Sequence, residues 1–180
     1  MNNLTESLRG LAPGALVVAI GPGASGKSTA ALTTPVDAVI SLDVLRGKIG
    51  TGEGDQSVTP AAVEQQNRLL DTFLAAGRRV FLDSTNVEPH IRAELVERAR
   101  RHQRPIIALR FGTGLATCRA RNRSRPEDRR VPDDVLTWQW SLTQQATPQV
   151  LLEEGFVAVY EAAPEPGLFE ARPIQRKDGS

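Results

Sequence analysis

Nine consecutive residues, Gly21-Pro22-Gly23-Ala24-Ser25-Gly26-Lys27-Ser28-Thr29, have the make-up of a loop that wraps a phosphate. Gly21, four residues, then Gly26-Lys27-Ser28 is the Walker A spacing. Glycines let successive backbone N–H groups turn inward around an anion, which larger side chains would block. A helix starting at about Lys27 would present its positive end to the same anion. Lys27 would reach the β- and γ-phosphates, and Ser28 would bind Mg²⁺. The alternative is a glycine-rich turn with a stray lysine, but a buried strand before the loop and a helix after it supply the context the motif needs. The expected ligand of Gly21, Gly23, Ala24, Ser25, Gly26, Lys27, Ser28 and Thr29 is therefore ATP, or another nucleoside triphosphate, with Mg²⁺.

Three further groups have types that suit phosphoryl transfer. Ile40-Ser41-Leu42-Asp43-Val44-Leu45-Arg46-Gly47 ends a strand candidate. Asp43 and Arg46 stand three apart, on one face of any helical turn starting there. Asp43 would accept the proton of an attacking hydroxyl and Arg46 would hold an acceptor or the moving phosphoryl group. Equally, Asp43 would cap the helix and pair with Arg46. Val80-Phe81-Leu82-Asp83 is an apolar strand ending in a carboxylate, which would hold Mg²⁺ through water or cap the next helix. Arg92, on that helix, would pair with Asp83 or face solvent. Arg119, Arg121, Arg123, Arg125, Arg129 and Arg130 crowd a short segment opposed only by Glu127 and Asp128. There they would form a lid that neutralises charge on the triphosphate and excludes water, or a solvated helix end.

The elements that must position these groups follow from hydrophobic patterning. Ala15-Leu16-Val17-Val18-Ala19-Ile20 is continuous and apolar, as in a strand buried on both faces. Asp37–Leu42, Arg79–Leu82, Pro105–Phe111 and Phe156–Tyr160 are the other strand candidates. Helical spacing marks Ala61–Ala76, Ile91–Ala99 and Pro132–Leu152, the last with an early proline and Asp133 and Asp134 in its first turn. Alternation of unbroken apolar strands with long crossovers predicts an α/β fold, a parallel sheet with helices on both faces and an arginine-rich lid. Residues 1–13 read as a lead-in, 14–161 as one P-loop domain, and 162–180, with Pro164, Pro166 and Pro173, as a loose extension.

Composition narrows the class. A chain of 180 residues with 40 % hydrophobic content and a formal charge of +1 fits one globular domain. No apolar run approaches the ~18 residues of a membrane span. The start lacks the layout of a secretory signal, and Cys118 is the only cysteine. A cytoplasmic protein without disulfides is expected. Nineteen arginines against three lysines fit either a GC-rich coding bias or arginine chosen for phosphate. Their clustering in a near-neutral chain favours a local anion site over a nucleic-acid coat. His90 and His102 lack partners at ligand spacing and are expected at the surface, and Cys118 in the core. Trp138 is expected to pack inward and Trp140 to be partly exposed, with stacking on a nucleic-acid base the less favoured of its readings.

With these residues together, the sequence resembles the bacterial polynucleotide 5′-kinase family, the kinase module of bacterial Pnkp end-healing enzymes. The matching pieces run in order: Gly21–Thr29, Ser41–Gly47, Asp55–Thr59, Asp83–Val87, Cys118–Val131 and Glu154-Gly155-Phe156. The resemblance implies that Asp43 is the general base for a 5′-hydroxyl and that Arg46 and Gln56 engage the acceptor. It also implies that Arg121 and Arg125 contact the donor phosphates. A 5′-hydroxyl end of DNA or RNA is then the expected acceptor. The chain shows none of the phosphatase and ligase modules of the healing enzymes, and no Asp-x-Asp pair. Kindred stand-alone kinases take small molecules (sugars, antibiotics, nucleotide-sugars), and a binding module with little turnover is a third reading.

Overall fold

The computed structural model describes Gly10 and residues 12–162. The expected lead-in and extension lie almost wholly outside the described residues; Ala162 ends the last strand.

β1 (Leu16–Ile20) is buried along its whole length and forms the centre of a parallel sheet. β3 (Val80–Asp83) pairs on one side of it and β4 (Ile106–Phe111) on the other. β2 (Ala38–Ser41) lies outside β3 and β5 (Ala158–Ala162) outside β4, giving the order β2-β3-β1-β4-β5. Because strand side chains alternate between faces, Leu16, Val18 and Ile20 enter one core layer while Val17 and Ala19 enter the other. The first layer is filled by Leu70 and Leu74 of α3 (Thr59–Ala75), Leu95 and Val96 of α4 (Pro89–Arg101) and Leu151 of α7 (Pro148–Glu154). The second takes Phe81 and Leu109 against Ala30 and Ala31 of α1 (Lys27–Thr33). Fully apolar strands thus reflect helices on both faces. A short α2 (Leu42–Ile49), α5 (Leu115–Arg123) and α6 (Asp133–Gln145) complete the helices. Among the described residues no helix is long and apolar enough to cross a membrane.

Three expectations are corrected. The helix foreseen over Pro132–Leu152 is two, α6 and α7, broken at Ala146-Thr147. Pro148 lacks an N–H, and its ring drives Thr147 to an extended backbone (ψ 158°). The Thr147 side chain then accepts the N–H of Val150 as an N-cap. Arg92 neither pairs with Asp83 nor faces solvent. It is buried and forks onto Glu154 with two 2.7 Å bonds, while also donating to the Val87 carbonyl. That pair ties α4 to the end of α7. Trp138 is 45 % exposed rather than packed inward, because Leu136, two residues earlier, takes the buried face. Trp140 is partly buried, as expected, and its Nε1 is enclosed without a hydrogen-bond partner among the described residues. His90 is exposed, and His102 is less so, its Nε2 lying 2.9 Å from Asp71.

Candidate active site

The carboxyl ends of β1, β3 and β2 bring the phosphate loop, Asp83 and α2 to one edge of the sheet, where open α/β sheets bind ligands. The loop runs directly from β1 into α1. Its last turn needs Gly26, at φ +105°, a left-handed backbone that a side chain would strain. Three residues foreign to the motif hold the loop's shape. Gln139 of α6 accepts the Gly23 N–H at 2.9 Å, Thr113 donates to the Ser25 carbonyl at 2.9 Å, and the Gly21 N–H bonds to the Thr85 carbonyl.

Lys27 is buried at the floor of the loop, its Nζ donating to the carbonyls of Gly21 (3.0 Å) and Pro22 (2.6 Å). Burial lowers its pKa to about 8, with Arg125 adding to the fall and Asp83 and Asp43 opposing it. Asp83 is buried too, and desolvation raises its pKa, while hydrogen bonds from Ser28 and Ser41 and the charge of Lys27 act the other way. Ser41 lies opposite Asp83 in the β2–β3 register.

Asp43 sits in the first turn of α2 and makes no cap; the N-cap position is Ser41. Its Oδ1 pairs with Arg46, while half of the side chain stays exposed. Arg46 is largely buried and also donates to the Glu53 carbonyl (3.0 Å) and to Gln56 Oε1 (3.4 Å). Asp43, Arg46 and Gln56 therefore form one connected group beside Asp83 and Lys27. The pairing half of the alternative read for Asp43 is present and the capping half is not.

The arginine segment divides by partner. Arg119 forks onto Asp133 with two 2.7 Å bonds, Arg129 pairs with Glu53 at 2.5 Å, and Arg130 donates to the Arg125 carbonyl. Arg121 and Arg125 have no carboxylate partner among the described residues. Arg125 is close enough to Lys27 to depress its pKa, and the Arg121 guanidinium reaches the Gly26 turn. Asn122 fastens the base of the segment, donating to the Val131 carbonyl (2.8 Å) and accepting the Val131 N–H (3.0 Å). Cys118 is buried beneath, its thiol pKa raised by desolvation.

A family model described as an AAA domain matches residues 16–148. The chain belongs to that family. No curated protein matches it in sequence. Solved structures share the fold. The AvrRxo1-ORF1:-ORF2 complex with ATP aligns with TM-score 0.60 at 15 % identity, covering 96 % of this chain and 61 % of that one. The Pnkp1/Rnl/Hen1 RNA repair complex aligns with TM-score 0.60 at 19 % identity, over 92 % and 49 %. Chaetomium thermophilum Kti12 with ADP-AlF3 aligns with TM-score 0.51 at 19 % identity, over 74 % and 82 %. The chain thus spans about three fifths of the first of these relatives and half of the second. The family and these neighbours agree with the sheet order and the loop in assigning the α/β fold of P-loop kinases.

Gln139, Thr113 and Asn122 carried no sequence signal as site residues. One further feature was also missed. Between α3 and α4, beside the end of β3, lies a cavity of about 250 Å³. Leu42, the neighbour of Asp43, and Ser84, the neighbour of Asp83, stand at its edge.

Proposed function

We propose that the protein is an ATP-dependent phosphotransferase acting on an alcohol, with the 5′-hydroxyl end of DNA or RNA as acceptor. The convergence of Lys27, Asp83, Asp43 and Arg125, near enough to perturb one another's charge, carries the reading. The loop from Gly21 to Thr29 would cradle the triphosphate, Lys27 countering charge on the β- and γ-phosphates and Arg121 and Arg125 closing from the lid. Asp43 keeps Oδ2 without a partner among the described residues, so it can take the proton as the acceptor oxygen bonds to the γ-phosphorus and the bridge to the β-phosphate breaks. Arg46 holds Asp43 in place and, with Gln56, borders the acceptor.

The Ser28 hydroxyl and the Asp83 carboxylate, already joined by a hydrogen bond, are hard oxygen donors of the kind Mg²⁺ takes from a protein when phosphates supply the rest. They are the residues that would hold it, directly or through water, and the ion would neutralise phosphate charge.

The polynucleotide assignment rests on the blocks Ser41–Gly47 and Asp55–Thr59. A second reading, a small-molecule alcohol as acceptor, is favoured by the partly open cavity lined by Leu42, the neighbour of Asp43. The test is transfer of labelled γ-phosphate from ATP with Mg²⁺ to 5′-hydroxyl DNA and RNA oligonucleotides, beside a Lys27→Ala control. A labelled 5′ end, lost in the control, is expected. ATP binding without label on either oligonucleotide would move the acceptor to small alcohols, and no transfer to any alcohol would leave a nucleotide-binding module.

A further inference from the structure

The cavity between α3 and α4 has apolar walls and unspent polar groups. Leu42, Val63, Val87, Ile91 and Leu95 supply the walls. Gln66, 7 % exposed, lines it as well. Its Oε1 accepts the Ser84 hydroxyl at 3.2 Å, and its Nε2 has no partner among the described residues. Asn86, 4 % exposed, commits its Nδ2 to the Ala19 carbonyl at 2.8 Å, while its Oδ1 has no partner there. The two amides thus offer a donor and an acceptor to the chamber that either water or the polar edge of a bound group can answer.

Charge limits what that group is. Glu88 and Glu94 line the cavity, and the one cation there, Arg98, is already paired with Asp71 at 2.5 Å. The lining is therefore net negative, with Glu94 exposed and Glu88 half-buried, and it offers an anion no free counter-charge. The volume is below the ~300–1,000 Å³ of sites that hold drug-sized ligands, so it suits a single ring-bearing unit.

We infer that this cavity is the acceptor pocket: it holds an uncharged, ring-bearing alcohol of about nucleoside size and excludes phosphate. The ring lies between the apolar walls, its polar edge meets Gln66 Nε2 and Asn86 Oδ1, and its hydroxyl points past Leu42 toward Asp43. Such a unit is either the 5′-terminal nucleoside of a polynucleotide, whose phosphates trail outside, or a free small alcohol. The name "acceptor" rests on the phosphotransferase reading; occupancy of the cavity does not.

Binding and transfer therefore need separate readouts. The ¹⁵N-labelled full chain, held with Mg²⁺ and a non-hydrolysable ATP analogue, is titrated with a 5′-hydroxyl trinucleotide, the same trinucleotide carrying a 5′-phosphate, and D-glucose. The side-chain amide signal of Gln66 is followed by NMR, beside phosphate transfer from ATP. Saturable movement of that signal by the 5′-hydroxyl trinucleotide or glucose is expected. Val63→Trp, which fills the chamber from a partly exposed helix position, should weaken binding at least tenfold with the affinity for the ATP analogue unchanged. Ile91→Trp does the same from α4 should the first variant fail to fold. The 5′-phosphate form should bind at least tenfold more weakly than its 5′-hydroxyl counterpart. No movement of the Gln66 signal with any probe, equal binding to the filled variants, or equal binding of the phosphorylated end would overturn the pocket. Transfer to the trinucleotide at the same KM in wild type and Val63→Trp overturns the pocket while keeping the kinase. Glucose in the cavity with the trinucleotide unlabelled keeps the pocket and removes the polynucleotide reading.

Discussion

In the proposed reaction Lys27 and Asp43 divide the chemistry, and each leaves its own trace. With Asp43 as the base, Asp43→Ala should lower kcat by about 10²–10⁴-fold while ATP affinity stays within twofold; steady-state transfer and equilibrium nucleotide binding measure both. Lys27 leaves a stability trace instead. Its pKa falls from 10.5 to about 8 on folding, so between those values the unfolded chain binds more protons than the folded one and stability rises with pH. Below pH 8 the buried charge costs on the order of 3 kcal/mol. Lys27→Met should therefore be the more stable protein at pH 7, with a gap that closes as pH climbs from 8 to 10.5. Chemical denaturation of both proteins across that window isolates Lys27, because Cys118 and Tyr160, whose pKa values burial raises, act in the opposite sense and are common to both. A gap that is constant with pH would refute the buried charge. Lys27 was legible in the sequence because the motif is local. Gln139, which holds Gly23 from 116 positions away, and Thr113, 88 positions from Ser25, were not: their roles exist only after the sheet assembles.

At the scale of elements, β1 and β3 were readable because both faces of each are buried, whereas β2, half-exposed at the sheet edge, and β5, which carries Glu161, left weaker apolar runs. The α6–α7 break was hidden because apolar residues keep helical spacing through Leu142, Val150 and Leu151, and periodicity outweighed Pro148. The coupling of the lid to the acceptor loop was likewise invisible in the sequence. Gly54 packs so closely on the lid's short 3₁₀ turn (Glu127–Arg129) that a Cβ there would run into the Asp128 carbonyl. Beside it Glu53 pairs with Arg129, and the Glu53 carbonyl accepts from Arg46. The lid therefore rests on the loop that also holds Arg46 and Gln56. Gly54→Ala should hold the lid off, lowering transfer by about tenfold and raising the ratio of ATP hydrolysis to transfer as water enters. Arg129→Ala removes a half-exposed ion pair worth about 0–1 kcal/mol and should change transfer by less than threefold. Equal effects of the two substitutions would mean that the salt bridge, not the backbone contact, seats the lid.

At the scale of the molecule, half of the described arginines that make the chain look suited to a polyanion are committed. Arg46, Arg68, Arg79, Arg92, Arg98, Arg110, Arg119 and Arg129 each face a carboxylate of this chain. The net charge of +1 leaves little for a long phosphate track, and in the proposed reaction Arg121 and Arg125, without a carboxylate partner among the described residues, belong to the donor side. A polynucleotide acceptor would then be held by its end, through about two phosphate contacts. For a single strand the slope of log affinity against log salt is about −0.7 per contact, so its KM should rise only about sevenfold between 50 and 200 mM salt at saturating ATP. A protein that coats its nucleic acid through six to ten contacts loses about 10³–10⁵ over the same range. An uncharged small acceptor would show no slope at all. The salt dependence of KM thus separates recognition of an end from recognition of a track, and either from a pocket that never meets a phosphate on the acceptor.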